Sequence, residues 1–326
     1  MQLVILPVDI SSTSNGEAIV SATMCDLAPK LPRLIGVLLD RERHLKRGRF
    51  REETMTDLFT GALAAFAGPN LVIQYPVELD TGGDLDLHFW HAESNRSLCV
   101  RIQAKRLSAE MNGSQPVKMK HRAYNELLHW PPTGKDYQFR ILRDTPNPLV
   151  PLYIFYNHES VTLDPEFAGA TPGVRGINLA FARDIANELE AKLDAAGSSP
   201  RQIKHHKRLS HLRKHFFGIE AILCPVGDWK DEIVPTPELV RVSLRERYRR
   251  DRDGADSAGD LDPVFRLLWE PAGVTGLSLD VQRLPDGPSV RLRQRSISVP
   301  TITFISGRTS DKRTPFISDD RGSRRS

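Results

Sequence analysis

The stretches "RIQAKRL" at 101–107 and "GGDLDLHFW" at 82–90 hold the residues whose types and spacing best suit chemistry. Successive side chains of a strand point to opposite faces, so Gln103 and Lys105 share one face while Val100, Ile102 and Ala104 share the other. By the same alternation Asp84, Asp86 and His88 oppose Leu85, Leu87 and Phe89. If the two runs are neighbouring strands, two carboxylates, an amide oxygen and an ammonium converge on one surface. Hard oxygen donors suit a divalent cation such as magnesium. An ammonium beside that cation can hold an attacking water or stabilise charge building on a phosphate. The set is coherent for metal-assisted hydrolysis of a phosphodiester; its bland alternative is a polar strand face turned to water.

The elements that must position these residues read as follows. Helical spacing predicts a helix over 34–46, "LIGVLLDRERHLK", and a second in "REETMTDLFTGALAAFAG", ended by Gly68 and Pro69. In the second helix Met55, Phe59, Ala62, Leu63 and Phe66 form the apolar stripe. Glu52 lies at the edge of that stripe, whereas Glu53 and Asp57 point away from it. A strand meander follows: "LVIQYPVEL", the turn "DTGG", "DLDLHFW", the turn "ESNR", then "SLCVRIQAKRL". Downstream, "HRAYNELLHW" and "DYQFRILRD" read as helices and "PLVPLYIFYN" as a buried strand. "GINLAFARDIANELEAKLDAAG" reads as one amphipathic helix closed by glycine.

A helix with a glutamate, a hairpin with G-x-D and a strand with (D/E/Q)-x-K together resemble the PD-(D/E)XK, or restriction-endonuclease-like, nuclease superfamily. The matching residues are Glu52 or Glu53, "GGD" ending at Asp84, and "QAK" with Gln103 and Lys105. "EETMTD", "GGDLDL", "QAKRL" and "PLYIFYN" are similar, more narrowly, to a bacterial family built on that core. The resemblance implies an α/β restriction-endonuclease-like core, a central mixed sheet flanked by helices, over 34–225. It implies magnesium- or manganese-dependent endonuclease cleavage of DNA, often in defence against foreign DNA, with an RNA-directed ribonuclease as a further reading that the sequence does not separate from it. Asp84 and Gln103 would hold the metal, Lys105 would position the water and Glu52 or Glu53 would complete the site, with Asp86 in support. Glutamine stands where most of the superfamily has an acid, and no proline precedes Asp84. A non-catalytic nucleic-acid-binding or scaffold protein with a degenerate nuclease fold is therefore the alternative. Tyr124 and Gln138 match positions of the similar sequences, but packing for Tyr124 and capping or surface for Gln138 are the simpler roles.

The rest of the chain bounds the partners. "RQIKHHKRLSHLRKH" carries six Lys/Arg and no acidic residue, which makes Lys204, Lys207, Arg208, Arg213 and Lys214 candidates for a phosphate backbone. A net charge of +4 permits a polyanionic partner without demanding one. No sequence-reading module is evident, which leaves specificity to a homodimer, an activating subunit or nothing. The apolar N-terminus lacks a basic flank and is too short to span a bilayer, so the expectation is a cytoplasmic protein without a membrane partner. Cys25, Cys99 and Cys224 have no disulfide or zinc spacing and read as reduced, packed thiols. Residues 1–33 read as an N-terminal extension, and the charged, Ser/Gly/Asp-rich residues 226–326 as a partly disordered appendage.

Overall fold

Alternating apolar residues build the centre of the molecule into a mixed sheet with helices on both faces. The structure, a computed structural model, describes residues 23–42, 50–67, 70–76, 85–108, 111–112, 115–116, 118, 121–131, 136–146, 148–196, 207–229, 232–250, 263–274, 278–284, 287–293, 297 and 299–307. Helix α1 (Met24–Leu27) leads to α2 (Lys30–Arg41), which buries Leu31, Ile35 and Leu39. Helix α3 (Glu52–Ala67) buries Met55, Phe59, Leu63 and Ala67, one residue per turn. Strands β1 (Leu71–Gln74), β2 (Leu85–His91) and β3 (Arg96–Arg106) follow, then a two-stranded ribbon of β4 (Met111–Asn112) and β5 (Gln115–Pro116).

A 3-10 turn (Asn125–Leu128) and α4 (Gln138–Arg143) come before β6 (Leu149–Tyr156), whose last seven residues are all buried. Next are α5 (Glu159–Thr162), β7 (Ile177–Phe181), α6 (Ala182–Ala196), α7 (Leu209–Leu212), β8 (Phe217–Gly218) and α8 (Glu220–Leu223). The chain closes with α9 (Pro237–Arg250), α10 (Pro263–Trp269), β9 (Gly273–Val274), the hairpin of β10 (Ser278–Leu284) and β11 (Gly287–Arg293), and β12 (Thr301–Ser306).

Seven strands run in the order β1-β12-β2-β3-β6-β7-β8, with β9 pairing to β3 off that path. Pairing is parallel between β12 and β2 and between β3 and β6, and antiparallel at the other junctions. Leu87, Val100, Ile102, Leu152 and Ile154 point into one core with α1, α2, α3 and α9. Tyr153, Phe155 and Ala180, offset by one residue, point into a second core with α4, α6 and α7. Two apolar cores on opposite faces of one sheet make an α/β layered fold.

Several sequence expectations are corrected here. β1 and β2 are not neighbours: β12 inserts between them, with Thr301 opposite Asp86 and Phe304 stacked on Phe89 at 4.8 Å. The appendage expected beyond 226 therefore supplies a central strand, and its α9 buries Val240, Leu244 and Tyr248. The extension expected over 1–33 includes α1 and the start of α2, where Met24 and Leu31 are core residues. Residues 177–181 form a strand rather than the start of α6, because five consecutive buried residues carry no amphipathic period.

Residues 125–128 close only a 3-10 turn where a helix was expected, since the chain around them pairs with the basic segment: Ala123 bridges Arg208. Cys25 and Cys224 form a disulfide, not two thiols; α1 and α8 pack together and bring their Cα atoms to 4.7 Å across a separation of 199 residues. Cys99 remains a thiol, which burial, and then the Asp86 carboxylate, push up to about 12. Among the described residues no helix is long and apolar enough to cross a membrane.

Candidate active site

β3 determines the geometry of the site. Ile102 and Ala104 point into the first core, so Gln103 and Lys105 point to the opposite face, paired in register with Tyr153 and Phe155 of β6. Helix α3 packs on the first face through Met55, Phe59 and Leu63, and its first residue reaches the end of β3. There Glu52 bonds in two directions: Oε1 accepts the backbone N–H of Arg106 at 3.1 Å, and Oε2 lies 3.4 Å from Lys105 Nζ. Lys105 also donates to Gln138 Oε1 at 3.1 Å.

The side chain of Lys105 is 3% exposed and that of Glu52 is 22% exposed. An ammonium at that depth is tolerable only with polar partners. Glu52 and Gln138 supply them from two different elements.

These groups line a cavity of about 430 Å³. Arg51 and Lys105 bring positive charge to it, and Glu52, Glu53 and Glu126 bring negative charge. Ser108, Asn125, His129 and Gln138 add neutral polar groups. The Arg106 side chain turns away from Lys105 to pair with Glu42 at 2.8 Å, as strand alternation requires.

The remaining expected site residues divide. Gln103 is fully buried on the Lys105 face, two residues before it, and is not one of the residues lining the cavity. Glu53 is exposed at the cavity wall. Asp84 and Lys204 lie outside the described residues. Asp86 is not brought to the cavity. Its cross-strand neighbour Arg101 grips it with two hydrogen bonds, of 2.8 and 2.7 Å, so the supporting role is corrected to a structural ion pair.

Lys207 donates from Nζ to the carbonyl of Asn125 at 3.2 Å, which puts it beside the cavity, and Arg208 bridges Ala123, two residues before Asn125. Arg213 and Lys214 are instead engaged elsewhere. Arg213 donates to the carbonyls of Thr171 and Pro172, and Lys214 pairs with Glu188.

Sequence reasoning undervalued Gln138. It opens α4, but its side chain bonds Lys105 and its backbone N–H bonds the His129 carbonyl at 3.0 Å. The match of its position to the similar sequences was the signal available. Asn125, Glu126 and His129 carried none, because nothing local in "YNELLHW" says which strand end the turn will face. Tyr124 is a packing residue, fully buried with its hydroxyl donating to Asn157 Oδ1.

A family model described as "Family of unknown function (DUF6615)" matches residues 24–311. The chain belongs to that family. The DUF6615 match extends from α1 past β12, so it takes in both the cavity and the C-terminal strand of the sheet. No curated protein and no solved structure gives a significant match. Within this DUF6615 chain the described residues hold no ready-made cluster of three or more His, Cys, Asp or Glu. A carboxylate and an amide oxygen are donors of the kind magnesium accepts; of the two expected here, Glu52 lines the cavity, and Gln103 is buried two residues from Lys105 without lining it. That ion takes only one or two carboxylates and keeps several waters.

Proposed function

We propose that the protein is a magnesium-dependent nuclease with a restriction-endonuclease-like core, acting on DNA phosphodiesters. The observation that supports this reading best is the buried Lys105 ammonium, held between Glu52 and Gln138 at the floor of a polar cavity. Magnesium, or manganese, would be held by Asp84 and Gln103 with Glu52 alongside. When bound, the ion withdraws charge from the phosphoryl oxygens.

The chain's own residues do the positioning. Gln138 fixes the direction of the Lys105 ammonium, and Glu52 keeps that ammonium from being an uncompensated buried charge. Lys105 then offers a fixed N–H donor to water or to a phosphate oxygen, at no cost in reorganisation. The Arg51 and Lys207 side chains stand near the cavity where a polyanion would approach.

A non-catalytic nucleic-acid-binding protein is the second reading. The Lys105–Glu52 ion pair favours it, because an ammonium already neutralised in place has less charge to offer. Cleavage of supercoiled plasmid in magnesium separates the two. The wild-type chain is expected to nick supercoiled plasmid, whose torsional strain opens unpaired segments, and Lys105→Ala to lose roughly a hundredfold or more of that rate. Asp84→Asn is expected to lose activity to a similar degree. Salt-sensitive binding by all three proteins without cleavage would select the binding reading; cleavage undiminished in Lys105→Ala would remove Lys105 from the chemistry.

A further inference from the structure

The cavity has an aromatic flank that hydrolysis alone does not use. Trp130 is 50% exposed, although tryptophan is ordinarily well buried. It directly follows His129, which lines the cavity, and Tyr137 directly precedes Gln138, which lines it too. The hydrogen bond from the Gln138 N–H to the His129 carbonyl ties these two segments together at 3.0 Å. Across that tie the Trp130 and Tyr137 rings meet edge to face, 5.0 Å apart. The indole thus sits one residue along the chain from His129, a lining residue, and packs on Tyr137, the neighbour of the group that orients Lys105, without itself lining the cavity. At the start of the 3-10 turn that His129 caps, the Asn125 carbonyl receives Lys207.

Resting on the phosphodiester reading of the cavity, we propose that its substrate is an unpaired nucleic-acid strand, one base of which stacks on Trp130 while the backbone passes Lys105 and Lys207. Three considerations converge on this. The cavity, about 430 Å³, is of small-ligand size, enough to receive a nucleotide but not a double helix. Its charges balance, with Arg51, Lys105 and the neighbouring Lys207 against Glu52, Glu53 and Glu126, while Arg106 is neutralised by Glu42 outside the cavity. Counterion release at the cavity is therefore small, and affinity must draw on a contact that salt does not weaken. Stacking on an aromatic side chain is such a contact, and it needs a base whose face is free, which a paired and stacked duplex does not present.

The test measures binding of a short labelled oligothymidylate and of a short duplex, both in calcium, to wild type, Trp130→Ala and Trp130→Phe. Wild type is expected to prefer the oligothymidylate. Trp130→Ala should weaken that binding roughly ten- to a hundredfold, far more than it weakens duplex binding, while Trp130→Phe retains most of it. Equal losses on both ligands, an unchanged oligothymidylate affinity, or a wild-type preference for duplex would overturn the proposal. So would a change of sedimentation in Trp130→Ala, which would mean that a second copy covers the indole. If the stacking pattern holds but no substrate is cut in magnesium, the hydrolytic reading fails and the strand site stands. If plasmid is cut in magnesium but the pattern is absent, the reverse holds.

Discussion

Gln138 accepts a side-chain hydrogen bond from Lys105, and under the proposed hydrolysis its removal is expected to cost both stability and rate. In Gln138→Ala the buried ammonium keeps only the longer 3.4 Å contact to Glu52 among the partners described above. The expected cost is about 1–2 kcal/mol in denaturant unfolding. A nuclease rate about tenfold lower should accompany it, since the donor is no longer aimed. His88 makes a separate, pH-dependent prediction. It is buried, neither ring nitrogen has a hydrogen-bond partner among the described residues, and burial pulls its imidazole down to about 4 from an ordinary 6.5. The unfolded chain binds this proton first, so stability is fully present above pH 6.5 and is lost as pH falls toward 4. The loss reaches about 3 kcal/mol. Melting curves between pH 7.5 and 4.5 should show this slope in wild type and a flatter one in His88→Leu. Were the two slopes identical, the imidazole would not be the titrating group.

At the scale of elements, the contact that seats α2 is a glycine. A Cβ on Gly176 would stand 1.8 Å from the Pro32 carbonyl oxygen, inside the backbone of α2. Gly176→Ala must push that helix off β7, at a cost of about 3 kcal/mol. Gly61, on an exposed turn of α3 with open space around it, is the control. Gly61→Ala should stabilise by about 0.5–1 kcal/mol, the ordinary helix-interior gain. Chemical denaturation of the two variants checks both signs.

The same elements show what a sequence discloses. The stripe of α3 and the alternation of β2 and β3 are local periodicities, and they correctly put Glu52 at the helix edge and Lys105 opposite the core. "INLAF" has no period to read, because both of its faces are buried. The meeting of Gln138 with Lys105 depends on how α4 docks, which spacing along the chain does not encode. Asp86 was misjudged for a related reason. Alternation gives the face of a side chain but not its cross-strand partner, and Arg101 was that partner.

Across the whole molecule, two long-range ties join the ends of the described chain. The Cys25–Cys224 disulfide links α1 to α8. Opening it in the native protein with a reductant, or in Cys25→Ser, should lower stability by about 2–4 kcal/mol, since the cross-link limits a long loop in the unfolded state. Equal unfolding midpoints with and without reductant would show that the bond contributes nothing. The second tie is β12, whose Ser306 hydroxyl donates to the Trp90 carbonyl across 216 residues of sequence. A chain still being synthesised has made β2, β3 and the Lys105 strand end long before it makes β12. Until residues 301–306 emerge, β2 keeps an open edge where its parallel neighbour belongs, and β1 has no strand to pair with. The sheet under the cavity is therefore completed late in translation, so a half-made chain carries Glu52 and Lys105 without the finished frame that holds them.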